Sequence, residues 1–126
     1  MQLMLEFHEL EITREEAVIS RIIEAHPGRQ NAIPVGELAA RTGIDERRVR
    51  DIVKHLIERH GLPVGSSTVE PPGYYLIVDN KERLEVRRSL VRRALSILER
   101  ARAYDRGGLV AKLVGQLKLL DDEEVE

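Results

Sequence analysis

Cysteine is absent from the sequence, which excludes disulfides, thiolate catalysis and cysteine-ligated zinc together. The absence fits a reducing compartment, and a cytoplasmic location is the expectation. Tryptophan is also missing, and only one Phe and three Tyr are present, so any core has to be aliphatic. No apolar run approaches the roughly 18 residues of a membrane span. The opening MQLMLEFHELEI carries glutamates where a signal peptide needs an apolar stretch, so no membrane is expected among the partners. Neither a glycine-rich phosphate loop nor a Gly-x-Ser-x-Gly elbow occurs. His8, His26, His55 and His60 lack ligand spacing, and the last two lie five apart, diverging on a helix. Catalytic residues, a metal site and a cofactor are therefore not expected.

Excess positive charge is lacking as well. The net charge of −2 argues against a protein that binds nucleic acid by bulk attraction. Its distribution says more. Residues 1–26 hold two basic and six acidic side chains, whereas residues 27–60 hold seven against five and residues 81–106 nine against four. Residues 107–126 return to two against five. A basic middle between acidic ends means that local sign decides which face meets phosphate.

The stretch that organises the chain is PVGELAARTGIDERRVRDIVK, Pro34 to Lys54. It reads as two short helices joined by a tight turn. Ala39 is small enough for another helix to lie close, Gly43 can take the left-handed conformation the reversal needs, and Asp45 can cap the second helix. Val49, Ile52, Val53 and Leu56 share one helical face. Ala39, Gly43, Val49 and Ile52 together keep the spacing of a helix-turn-helix, and Gly43 is expected to have positive φ.

Around this unit, residues 1–12 read as a loose arm or edge strand. Thr13 and Glu16 form a capping box, opening a helix whose apolar stripe is Ala17, Val18, Ile22 and Ile23 and which Pro27-Gly28 ends. Asn31-Ala32-Ile33 reads as a very short strand. Gly61 stops the second helix of the motif. Leu62 to Ser67 and Tyr74 to Val78 read as a hairpin around the Pro-Pro-Gly turn. A long helix follows from Lys81 to about Asp105, Gly107-Gly108 breaks it, and Leu109 to Leu120 forms a last helix. The expected organisation is an arm (1–12), a winged-helix domain (13–80), a helical extension (81–120) and an acidic disordered tail (121–126). The fold class is mainly α: a three-helix core with a small β-hairpin wing, a long helix and a short final one.

The segments GELAARTGIDERRVRDIVKHL, GLPVGSS, GYYLI and SLVRRALSIL, in that order, resemble small winged-helix proteins of bacterial phages and prophages. The likeness covers Gly28 to about Tyr104, roughly two-thirds of the chain. It implies a DNA-binding regulator or replication-associated protein, with double-stranded DNA as partner. It does not extend to the final helix or the acidic tail.

On the second helix of the motif, the face opposite Val49 holds Arg47, Arg50, Asp51, Lys54 and Glu58. Such a helix can enter the major groove and set Arg47, Arg50 and Lys54 against guanine edges or phosphates. It can equally be a solvated face, because Arg47 with Asp51 and Lys54 with Glu58 are i,i+4 pairs. Arg48, Arg41 and Arg29 are further candidates for phosphate contact, as are Ser66 and Ser67 of the wing. Residues 61–80 contain no Lys or Arg, and Glu70 sits near the wing tip. That absence supports the alternative of a winged helix that binds protein through an uncharged wing, in an assembly or accessory role. A purely structural dimer module is the third class.

Leu84, Val91 and Leu98 recur every seven residues, as do Ala94 and Ala101. With Leu95, Leu113 and Leu117 they define the expected homodimer seam. The alternative is a last helix that folds back within one chain. The Arg87-Arg88 and Arg92-Arg93 pairs read either as a second phosphate surface or as arginines flanking that seam.

Overall fold

The computed structural model describes residues 11–123. Residues 1–10 of the expected arm and 124–126 of the expected acidic tail lie outside them. Among the described residues the chain forms five α-helices and one two-stranded antiparallel sheet. It divides into two compact units between Glu82 and Arg83.

Helix α1 spans Arg14–Glu24. Its start is a closed capping box: the Thr13 hydroxyl accepts from the Glu16 N–H at 3.1 Å, and the Glu16 carboxylate accepts from the Thr13 N–H at 2.9 Å. The inward face matches the stripe read from the sequence only in part: Ile23 is buried and Ile22 packs against the core. Glu16, Ile19, Ser20 and Ile23 are buried, while Val18 is 41% exposed. Two polar residues can occupy buried positions because each is satisfied locally. Glu16 closes the cap, and the Ser20 hydroxyl donates to the Ala17 carbonyl at 3.0 Å.

A 3₁₀ turn, Arg29–Asn31, leads to α2, Val35–Thr42, which begins after Pro34. Gly43 follows at φ 74°, the left-handed residue the reversal requires. Helix α3, Glu46–Glu58, is capped by Asp45, whose carboxylate accepts from the Arg48 N–H at 3.0 Å. Val49, Ile52, Val53 and Leu56 of α3 are buried against Ile19, Ile23, Ile33, Leu38 and Val64. This cluster is entirely aliphatic, as the scarcity of aromatics demands.

Strands β1, Val64–Ser67, and β2, Gly73–Leu76, pair antiparallel with Gly65 opposite Tyr75 and Ser66 opposite Tyr74. The other edge of β2 is also occupied. Ile33 and Tyr74 exchange two backbone hydrogen bonds at 2.8 and 2.9 Å, and Pro27 forms a parallel bridge with Leu76. The short strand expected over Asn31–Ile33 is thus a single bridge at Ile33. Tyr74 and Leu76 pack against the aliphatic cluster. Tyr75 alternates to the opposite face, where it is 2% exposed and its ring lies over Gly65.

Helix α4, Asn80–Ala101, starts under tight control. One Glu82 oxygen accepts from the Val78 N–H at 3.1 Å and the other from the Arg29 N–H at 2.9 Å, while the Glu82 N–H donates to Asp79 at 2.8 Å. Beyond Glu82, α4 is followed by a 3₁₀ turn at Arg102–Tyr104 and by α5, Leu109–Glu123, which runs three residues past its expected end. The Asp105 carboxylate accepts from the Gly107 and Val110 N–H groups at 3.2 and 2.8 Å, fixing the reversal. Lys118 then meets Glu99 at 3.4 Å, so the chain reverses after α4 and α5 comes back toward its C-terminal end. Val114 is buried, and Leu84, Val91, Leu95, Leu98 and Leu117 of the expected dimer seam are half-buried in the single chain. Leu113 stays exposed, with Leu90, Ile97, Leu109 and Leu119.

Two glycines carry different burdens. Gly43 has open space around it, whereas a Cβ on Gly73, at φ 122°, would collide with the Ile33 carbonyl. Gly43→Ala should therefore cost about 1 kcal/mol, the price of the left-handed conformation. Gly73→Ala should cost about 3 kcal/mol, strain plus overpacking. Urea unfolding midpoints of the two variants check the order.

Candidate nucleic-acid interface

With one side of α3 buried, the helical period decides what points away. Arg47, Asp51, Lys54 and Glu58 follow at intervals of four, three and four, and all are exposed. Their charges alternate in sign. Among the described residues neither Arg47 with Asp51 nor Lys54 with Glu58 closes an ion pair, and Arg47 and Lys54 have no side-chain partner.

The flanks of this stripe behave differently. On one side Arg50 lies 3.4 Å from Glu46, one turn earlier. Arg50 also acts on Tyr74 of β2: burial pushes the Tyr74 phenol up from its ordinary value, and the Arg50 charge opposes that rise. On the other side Arg48 reaches α1. Its Nε and Nη2 both donate to Glu15 Oε1, at 2.9 and 2.6 Å. That hydrogen bond and the Glu15 charge raise the Arg48 pKa further above its ordinary value.

The remaining candidates are scattered. Arg41 on α2 sits 3.7 Å from Glu37. Arg29 is exposed on the 3₁₀ turn, where its backbone N–H is held by Glu82. Ser66 is exposed across the ladder from Tyr74, on the side of the hairpin that Arg50 influences. Ser67 is buried, and its hydroxyl donates to the Val69 carbonyl at 3.0 Å. Its burial and this bond leave Ser67 unavailable to a phosphate. The structure thus brings Arg47, Arg48, Arg50 and Lys54 together on α3, with Ser66 and Tyr74 on the neighbouring strands.

Sequence reasoning missed the acidic side of this site. Glu15 and Glu16, adjacent in the first turn of α1, both hold groups from α3 or its end. Glu16 Oε2 lies 3.5 Å from His60 Nε2, with both side chains largely buried. Between α1 and α3 runs an open groove of about 760 Å³, lined by Glu16, Arg48, Ile52, His55, Arg59 and His60 among others. Burial pushes the Glu16 carboxyl up, but hydrogen bonds from the Thr13 N–H and hydroxyl, with the charges of His60 and His55, outweigh it. The net pKa is lowered from 4.5. Among the described residues no three His, Cys, Asp or Glu side chains are placed to hold a metal ion, and no helix is long and apolar enough to cross a membrane.

No family model, curated protein or solved structure matches the chain.

A carboxylate with a lowered folded pKa stabilises the fold above its unfolded pKa, and that contribution disappears as pH falls through the folded value. Glu16→Gln keeps a capping-box acceptor but removes the charge facing His60. The variant should lose stability at neutral pH and show a flatter decline below the ordinary value of 4.5. Denaturant unfolding at a series of pH values measures both.

Proposed function

We propose that this chain is a winged-helix DNA-binding protein, a transcriptional regulator or replication-associated protein of the phage or prophage kind, with α3 as its recognition helix and the β1–β2 hairpin as its wing. The observation that carries the reading is the division of α3. One face is wholly buried, and the other leaves Arg47 and Lys54 exposed, without partners among the described residues, beside Arg50. The element order supports it too: helix, bridge at Ile33, two helices across a glycine turn, hairpin. In the major groove, Arg47 and Lys54 offer donors to guanine O6 and N7, and Arg50 a contact to base edge or phosphate. The exposed hydroxyl of Ser66 supports a phosphate contact.

A second reading is favoured by the wing. Residues 61–80 carry no Lys or Arg, and Val69 stands 55% exposed beside Glu70. A wing of this composition suits a protein surface better than a minor groove.

The two readings part on one experiment. Binding to random-sequence duplex is measured across a salt series for the native chain and for a variant with Arg47, Arg50 and Lys54 all changed to Ala. The DNA reading expects weaker binding and a salt slope shallower by up to about 0.9 for each phosphate no longer neutralised. Unchanged affinity with the fold intact would favour the protein-binding alternative.

A homodimer is part of the proposal. Leu90 and Ile97 lie seven apart on α4 and are each more than half exposed, as are Leu109 and Leu119 of α5. These exposed residues support a dimer contact beside the seam expected from the sequence. A two-fold protein would read two half-sites about one helical turn apart. Sedimentation equilibrium at micromolar concentration should return twice the 14.4 kDa chain mass; a concentration-independent monomer would remove the dimer.

A further inference from the structure

The four basic residues of α3 between Arg47 and Lys54 fall into two kinds. Arg47 and Lys54, on the outward stripe, have no side-chain partner among the described residues. Arg48 and Arg50, on the two flanks, are each matched with a glutamate. The stripe itself alternates Arg47, Asp51, Lys54, Glu58 and carries no net charge. Sequence-independent attraction to a duplex comes from cations that reach the phosphates on either wall of the groove. On α3 those cations are the flanking arginines.

Of the two flank pairs, that of Arg48 is the more strongly built. Two guanidinium nitrogens converge on one Glu15 oxygen at 2.9 and 2.6 Å, the short distances of a charge-assisted hydrogen bond. The acid comes from another helix, 33 residues away, so the pair is set by the tertiary fold. The Arg50–Glu46 contact, by contrast, is a local i,i+4 pair at 3.4 Å. Arg48 lies in the first turn of α3, the end that approaches base pairs in helix-turn-helix complexes. Its side chain is 59% exposed and that of Glu15 42%, so solvent, salt and phosphate all reach the pair.

We infer that Glu15 is a selectivity-setting residue: by holding Arg48 against α1 it keeps one cation off the DNA backbone and lowers sequence-independent affinity. The inference rests on the DNA-binding reading of α3. The carboxylate presents to Arg48 the same chemistry as a phosphate oxygen, and it does so at high effective concentration within the fold. Because an exposed ion pair and one phosphate contact are of similar small size, the exchange is graded and is worth a severalfold change in affinity.

Binding of the full chain to random-sequence duplex across a salt series tests this with Glu15→Gln, Arg48→Ala and the double variant, each checked for an unchanged melting temperature within a few degrees. Glu15→Gln should bind severalfold more tightly at low salt, with a salt slope steeper by about 0.9, the increment of one further neutralised phosphate. In the Arg48→Ala background the same Glu15→Gln change should add nothing. An equal gain with and without Arg48 would mean that Glu15 acts only by repelling phosphate, and would overturn the inference. So would an unchanged slope in Glu15→Gln while the native chain binds. If the native chain does not bind duplex at any salt concentration, the DNA-binding reading itself fails, and the inference with it.

Discussion

The structure depends on the aliphatic seam beneath α3. Val49, Ile52, Val53 and Leu56 are buried against residues from α1, α2, the Ile33 bridge and β1. Each element of the first unit other than the 3₁₀ turn and β2 places a fully or nearly fully buried residue there, and β2 packs Tyr74 and Leu76 against it. Truncating one large member of such a cluster costs about 2–5 kcal/mol, because the cavity cannot fully collapse. Two consequences follow. The first unit has a continuous aliphatic core in a chain that has no cysteine, and the rotation of α3 about its axis is set. With about 100° between successive residues, burying those four leaves no freedom in what faces outward.

Electrostatics then act on a face whose position is already determined. The chain as a whole is slightly acidic, and the acid is not remote from the candidate site. Glu15 and Glu16 on α1 engage Arg48 and His60, Glu46 engages Arg50, and Asp51 and Glu58 alternate with Arg47 and Lys54. On the proposed reading this is a surface with little bulk attraction for DNA, on which individual donors and acceptors weigh more than total charge. The same restraint extends to the hairpin, which offers backbone, hydroxyl and apolar groups but no cation between residues 61 and 80.

Much of this was legible in the sequence wherever the determinant is local. The Thr13 capping box, the Asp45 cap, the left-handed Gly43 and the hairpin flanking Pro71-Pro72-Gly73 all depend on residues a few positions apart. The buried face of α1 differs from the apolar stripe because Glu16 and Ser20 look solvent-facing by type, although Thr13 and His60 satisfy the one and the Ala17 carbonyl the other. The exposure of β1 could not be read from alternation because both sides of the hairpin carry buried residues: Ser66 shares the side of Val64 and Tyr74 yet is exposed, whereas Ser67, on the side of Tyr75, is buried. The Glu15–Arg48 and Glu82–Arg29 contacts span 33 and 53 residues, and nothing in either local pattern points to its partner. The heptad spacing of Leu84, Val91 and Leu98 was visible, but it is the same for a helix covered by another chain as for one covered by its own. The Asp105 cap fixes the reversal after α4, and the Lys118–Glu99 contact spans it. At the candidate site, Arg47, Arg50 and Lys54 could be read from spacing alone, whereas the paired state of the flanking arginines required the fold.

The central claim is that the outward face of α3 is the surface that meets duplex DNA. An amide chemical-shift titration tests it residue by residue, with the labelled full chain at low salt and a duplex of about two helical turns, long enough for two half-sites. The account predicts saturable shifts that are largest at Arg47, Arg50, Asp51 and Lys54, with smaller ones at Ser66 and Tyr74. A spectrum that does not change, or one whose changes are confined to residues 68–72 of the hairpin turn, would contradict it.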